Sequence, residues 1–434
     1  MSRSGLSDRM GLGLYLAADV PRSGPFGRRP SRENLFHDIA EMAAAFARRQ
    51  PAPLGEWFDS SPVDDTLYVD LFPVEENAEF NFGDEKIICS AKTSTAGPGY
   101  HAYLVDLLDE LRGKLGLDWR AGEGDSADET EYFDRRSFAR LQRTMLDWLQ
   151  GLSRTLVARI DEFTPPVMLG MPVGFAPKSE AFAASSMGEW PRQWFERIAA
   201  SEGADLVRAA EAFFPWWDRT VTAKALRGFA LSRCWMDIRW TVPANESERR
   251  LYSSTLGCFE RAIESDSGLS VPELAIAKLR SLLSPDAEVA APDEVGIGHL
   301  RRVMRRPLPG QWTIDLPGYY YSELEDDGGT QVYWFADRTV RASSISFKPL
   351  EGKTAADVLG EIDPDKGEAS LPLEHDHLVA KYTFARDDGD DCFMFQACVA
   401  KADGKCIITI CFSVESDRLW AEHTAASVTA APPP

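Results

Sequence analysis

Residues 84–111, DEKIICSAKTSTAGPGYHAYLVDLLDEL, decide how this chain is read. Ile87, Cys89, Ala91 and Thr93 alternate with Ile88, Ser90 and Lys92, which is the period of a β-strand. Both sets begin with isoleucine, so the first half of that strand is read as buried on both faces. Gly97-Pro98-Gly99 ends it, because proline brings no N–H to a ladder and glycine favours turn dihedrals. Tyr100, Tyr103, Leu104, Leu107, Leu108, Leu111 and Leu115 then recur at three and four residues, one apolar stripe of a helix, with Asp106, Asp109, Glu110 and Lys114 opposite.

This strand, loop and helix gather chemistry-bearing groups at one place, and three uses for them stand side by side. The glycines serve only to make the turn. Alternatively, Ser94, Thr95, Gly97 and Gly99 form an anion cradle with the free N–H groups of the first helical turn. The run lacks the GxxxxGK[ST] and GxGxxG patterns, however, and Lys92 lies on the strand side. In the third use Cys89 and His101 are a nucleophile and its base. A reactive thiol needs an adjacent base and access, and a strand cysteine beside isoleucines is more often inert core.

Working outward, residues 1–175 read as an α+β domain. Strands are expected at Leu12–Ala17, Leu67–Leu71 and Phe80–Phe82, the last joined to the central strand by a hairpin at Gly83-Asp84. Ser31 is placed to cap a helix whose stripe is Leu35, Ile39, Met42 and Phe46. Phe138 to Ile160 keeps helical spacing, and VMLGMPV at 167–173 offers one more strand. The sheet is expected to be mixed. Residues 176–284 read as a helical segment, with Phe213, Phe214, Trp216 and Trp217 as core aromatics. The run SPDAEVAAPDEVGIG at 284–298 reads as an inter-domain connector, with the linker placed over 285–304. The seven cysteines are odd in number, scattered and without a CxxC, which disfavours a zinc site and suits reduced thiols in a cytoplasm.

At 434 residues the chain is long enough for two or three domains, and 44 % hydrophobic residues fill their cores. A net charge of -21 disfavours nucleic acid and anionic membranes and favours steering of a basic protein partner. No run is apolar and long enough to span a bilayer.

Residues 305–430 are strand-rich: WTIDLP, QVYWFA, RASSISF, HLVAKYTF, CFMFQACVA and KCIITICFSV. Thr354–Ile362 and Leu419–Val428 read as helices, giving an antiparallel sheet with helices on one face. The opening LPGQWTIDLP, the helix TAADVLGEI, the three-strand meander and the closing helix around Trp420 resemble the PsbP/DcrB-like fold. That group includes effector-associated chaperones of bacterial type VI secretion. The resemblance implies a protein that grips hydrophobic protein segments, and it transfers no functional residue. Glu325, Asp326 and Asp327, with Asp387, Asp388, Asp390 and Asp391, form acidic hairpin tips suited to a basic partner. His375 and His377 in LEHDH read as a polar turn rather than a metal site.

The resulting expectation is a non-enzymatic cytoplasmic binding protein. It would be of the bacterial immunity or effector-adaptor kind, act on a basic or hydrophobic protein partner, and need no cofactor or metal. The alternative is a Cys/His-dependent hydrolase or transferase built on Cys89 and His101.

Overall fold

The structure is a computed structural model. It describes residues 11–22, 30–50, 55, 57–72, 77–83, 85–121, 128–162, 165–172, 175–293, 296–325, 328–347, 354–360, 369–373, 375, 377–387, 389 and 391–430. The fold is α+β.

The N-terminal sheet is built from β1 (Gly13–Asp19), β2 (Asp59–Val63), β3 (Thr66–Asp70), β4 (Ala78–Phe82), β5 (Lys86–Lys92) and β6 (Arg120–Ala121), in the order β2-β3-β4-β5-β1-β6. A mixed sheet is the expectation from sequence, but every pairing found in it is antiparallel. The reason is local: β2 to β5 follow one another through short connections, which suits neighbours running in opposite directions. Helices α1 (Arg32–Ala47) and α2 (Pro98–Leu115) cover it, followed by the single turn α3 (Tyr132–Arg135) and α4 (Phe138–Ala158). Ser31 caps α1 through its hydroxyl, which accepts from the Asn34 N–H at 3.3 Å.

α2 is the hub. Its sequence shows one apolar stripe, yet His101, Ala102 and Val105 are buried as fully as the leucines. His101 is enclosed by Thr93, Thr130 and Tyr132 of the first domain, and the helical segment covers the helix at Tyr103. β7 (Val167–Leu169) of the first domain forms a small sheet with β8 (Ala183–Ser185) and β9 (Gly188–Trp190) of the helical segment, which continues with α5 (Arg192–Ala200), α6 (Gly203–Phe213), α7 (Ala223–Met236), α8 (Glu246–Ser265) and α9 (Glu273–Leu282). Trp216, between α6 and α7, packs its ring 5.3 Å from Tyr103 and 5.2 Å from Phe229. One continuous apolar core therefore runs from Leu14 to Leu282.

A second core runs from Leu308 to Ala430. Here β10 (Val303–Leu308) and β11 (Trp312–Pro317) form a small sheet. β12 (Tyr321–Leu324), β13 (Thr330–Phe335) and β14 (Arg338–Ser346) open the large sheet. After the short helix α10 (Ala355–Leu359) come β15 (Ala369–Ser370), β16 (Val379–Asp387), β17 (Cys392–Lys401) and β18 (Gly404–Phe412). The closing helix α11 (Arg418–Ala426) and β19 (Thr429–Ala430) end the unit. The large sheet has the order β12-β13-β14-β18-β17-β16-β15 and is antiparallel throughout.

Helices on one face are the expectation from sequence, but the two helices take opposite faces of this sheet. α11 lays Ala421 and Ala425 on the inner face with Phe395, Ala397, Ile408 and Ile410. α10 sets Leu359 against Cys398 and Ala400, which strand alternation points the other way. Among the described residues no helix is long and apolar enough to cross a membrane.

Between the cores, residues 285–291 are mostly exposed and carry no regular structure. The chain then re-enters the N-terminal unit at buried His299. The backbone N–H of Lys178 donates to Val303 O at 2.7 Å and that of Arg305 to Ala176 O at 3.2 Å, lacing β10 to the first unit.

Candidate functional site

Cys89 and His101 are not brought together as nucleophile and base. Cys89 has no exposed surface and stands in register between Leu16 on β1 and Phe80 on β4. Burial pushes its thiol far above the ordinary cysteine range, and Glu79 adds to that. The His101 ring is equally buried, and both of its nitrogens are engaged elsewhere. Nδ1 lies 2.8 Å from the Thr93 hydroxyl, and Nε2 lies 3.1 Å from the Thr130 hydroxyl and 3.3 Å from Asp128 Oδ1. Burial works against the charge on Asp128. Hydrogen bonds from His101, Thr130 and the Phe133 N–H outweigh it and hold the carboxyl below its usual range. This Thr-His-Asp string resembles a relay in outline, but it is sealed. Its geometry is that of a satisfied buried network tying β5, α2 and the entry to α3 together.

The loop of Ser94, Thr95, Gly97 and Gly99 is also filled. All four are buried: the segment at Phe214–Asp218 lies directly on Gly97 and Gly99, while Gly11 approaches Ser94 and Gly170 approaches Thr95. The Gly99 N–H donates to Trp216 O at 3.0 Å, while the Trp216 N–H donates to Ala96 O at 3.0 Å. A Cβ on Gly99 would sit 2.0 Å from Trp216 Cδ1, and one on Gly97 would sit 2.7 Å from Trp216 O. The glycines thus permit a close approach of two backbones, and the donor an anion would use is already spent.

The acidic tips are separated. Register places Glu325 at the end of the sheet shared by Ser346 and Gly404, and Asp387 and Asp391 at the end shared by Phe412 and Thr339. Several strands and several residue steps lie between the tips, roughly 20 Å or more. Glu325 is paired with Arg341 at 2.6 Å, and Asp391 with Arg386 at 2.7 Å. Asp326, Asp327, Asp388 and Asp390 lie outside the described residues. His377 Nε2 lies 3.2 Å from Ala430 O, and the His375 ring is 5.6 Å from that of His377. Among the described residues no group of three metal-ligating side chains forms.

A cleft of about 870 Å³ opens where the two units meet, lined by Trp57, Phe58, Asp59, Arg233, Glu248 and Tyr321, among others. Arg233 lies 4.9 Å over the Trp57 ring and pairs with Asp237 at 2.8 Å. Asp70, opposite Asp59 across β2 and β3, completes this charge group. Burial raises the Asp70 carboxyl to about 6. Arg233 and the Phe72 N–H pull it down, while Asp237 and Asp59 push it up. On the other wall Glu248 accepts from Arg239 Nε at 2.8 Å and from the Tyr321 hydroxyl at 3.1 Å, a direct link between the units. No local pattern in the sequence marks this cleft. Its residues come from the start of β2, α7, the α7–α8 connection, α8 and β12, spread over more than 250 positions.

Comparison with known proteins adds little. No protein-family model matches the chain, and no curated protein does. A solved structure from Bacteroides thetaiotaomicron is 12 % identical over 29 % of this chain and 47 % of its own, with a TM-score of 0.23. The chain thus spans about half the length of that structure.

Proposed function

We propose that this chain is a non-enzymatic protein-binding protein, of the bacterial immunity or effector-adaptor kind, that meets a basic partner protein in the cytoplasm. The observation that carries the reading is the sealing of Cys89 and His101. The thiol is buried among apolar side chains and the imidazole has both nitrogens occupied, so the groups that would serve a hydrolase or transferase serve the core instead. A net charge of -21 supports the partner's sign, because a summed field of that size accelerates encounter with a basic surface.

The test is affinity purification from the source cell, followed by association kinetics of the recovered partner across a salt series. The expected result is a basic protein whose association slows steeply with salt. Salt-independent binding would overturn the electrostatic part. Loss of the cellular effect in Cys89→Ala at unchanged melting temperature would overturn the non-enzymatic part.

A further inference from the structure

Five of the seven cysteines are buried; the two that are not, Cys392 and Cys411, are neighbours. Cys411 on β18 faces Met394 on β17, and Cys392 stands two residues before Met394 on the same face. That face is the outer one, opposite Phe395, Ile408 and Ile410, and register makes Cys392 and Cys411 diagonal neighbours on it. Cys392 is the first residue of its strand and follows Asp391, whose φ of 49° closes the β16–β17 hairpin. A strand-end residue can shift by the small amount that a diagonal pair needs to reach bonding distance more easily than one held in mid-ladder. The five remaining thiols have no such access: Cys398 and Cys406, the nearest in sequence, are buried on opposite faces of the sheet.

We propose that Cys392 and Cys411 form a reversible intramolecular disulfide, making the outer face of the C-terminal sheet a thiol-oxidation site. The oxidant is a small disulfide such as oxidised glutathione. One cysteine thiolate attacks it, forming a mixed disulfide and expelling one glutathione thiolate. The second cysteine thiolate then attacks the protein sulfur of that mixed disulfide and expels the other glutathione. Two protein thiols lose two electrons in total, the glutathione disulfide gains them, and the protons released pass to the two departing thiolates. Asp387 and Arg341 are charged groups whose fields act on the Cys411 thiol, in opposite senses. The link would staple the base of the Asp387–Asp391 tip to β18.

The test is oxidation of the folded full-length chain with oxidised glutathione at mildly alkaline pH, followed by non-reducing peptide mapping. The peptides carry Cys398 and Cys406 as well, so the site is assigned by fragmentation and by single serine variants. The expected product has lost two hydrogens, retains no glutathione, and is reversed by a thiol reductant. It is absent in Cys392→Ser and in Cys411→Ser, each of which ends with one stable glutathione adduct, and it persists in Cys398→Ser and Cys406→Ser. Circular dichroism of each variant before oxidation establishes that it is folded. A wild-type product bearing glutathione on both cysteines, a link between Cys398 and Cys406, or no reaction would each overturn the proposal.

Discussion

Replacing Asp70 by asparagine should stabilise this protein at neutral pH and leave it unchanged in acid. In the folded chain the Asp70 carboxyl is raised to about 6 from an ordinary 3.8, chiefly by burial. A carboxyl whose folded value lies above its unfolded value favours folding when protonated, so its contribution is greatest below the unfolded value and is lost as pH rises through the folded one. A shift of about two units corresponds to roughly 3 kcal/mol between those limits. Asparagine keeps the oxygen that accepts the Phe72 N–H, 3.2 Å away, and it carries no charge at any pH. The assay is urea unfolding of wild type and Asp70→Asn at several pH values, read as the difference between the two. That difference should be near zero at about pH 3 and reach about 2 to 3 kcal/mol in favour of the variant at pH 7. A variant less stable than wild type at pH 7, or a difference that does not change with pH, would refute the reasoning. It would mean that attraction to Arg233 outweighs burial.

His299 works in the opposite sense. Its Nε2 lies 2.9 Å from Ser185 O, and a carbonyl only accepts, so the ring hydrogen sits there; Nδ1 is buried and has no partner among the described residues. Burial lowers the His299 value, against the pull of Ser185 and Glu189 and with a small push from Arg302, so stability is lost as pH falls below about 6.5. His299→Gln, which keeps a donor for Ser185 and stays neutral, should abolish that loss, as seen by subtracting its pH–stability curve from that of wild type. Gly99→Ala should cost about 3 kcal/mol or more in denaturant unfolding, because its methyl collides with Trp216 and with Asp218 O; a loss below 1 kcal/mol would mean the two segments part easily. Neutralising the Asp387 and Asp391 tip and the Glu325 tip should slow partner association by factors that multiply, since the tips stand farther apart than the screening length of about 8 Å. Stopped-flow rates of the single and combined variants test this, and stability should move by less than about 0.5 kcal/mol in each.

The sequence by itself determined the strongly periodic elements but not the short strands such as β2, β8, β9 and β10. Alternation at Ile87–Lys92, the i, i+3, i+4 leucines of α2, the Ser31 cap and the six C-terminal strand runs all appear where local pattern places them. Those signals are short-range: side-chain periodicity and backbone donors act within a turn or a strand pair. It also gave the aromatic run at Phe213–Trp217 as core, and each of its four aromatics is buried. Tertiary structure alone decided what the central stretch is for. Gly97 and Gly99 look like a cradle until Trp216, more than a hundred residues later, lies across them. His101 looks free to meet Cys89 until Thr93, Thr130 and Asp128 claim its ring. Sheet register, which no single strand reveals, sent the two acidic tips to opposite ends and set Cys392 beside Cys411. The difference has one physical cause. Periodicity reports which way a side chain points within its own element, whereas burial, pairing and titration depend on which distant element arrives against it.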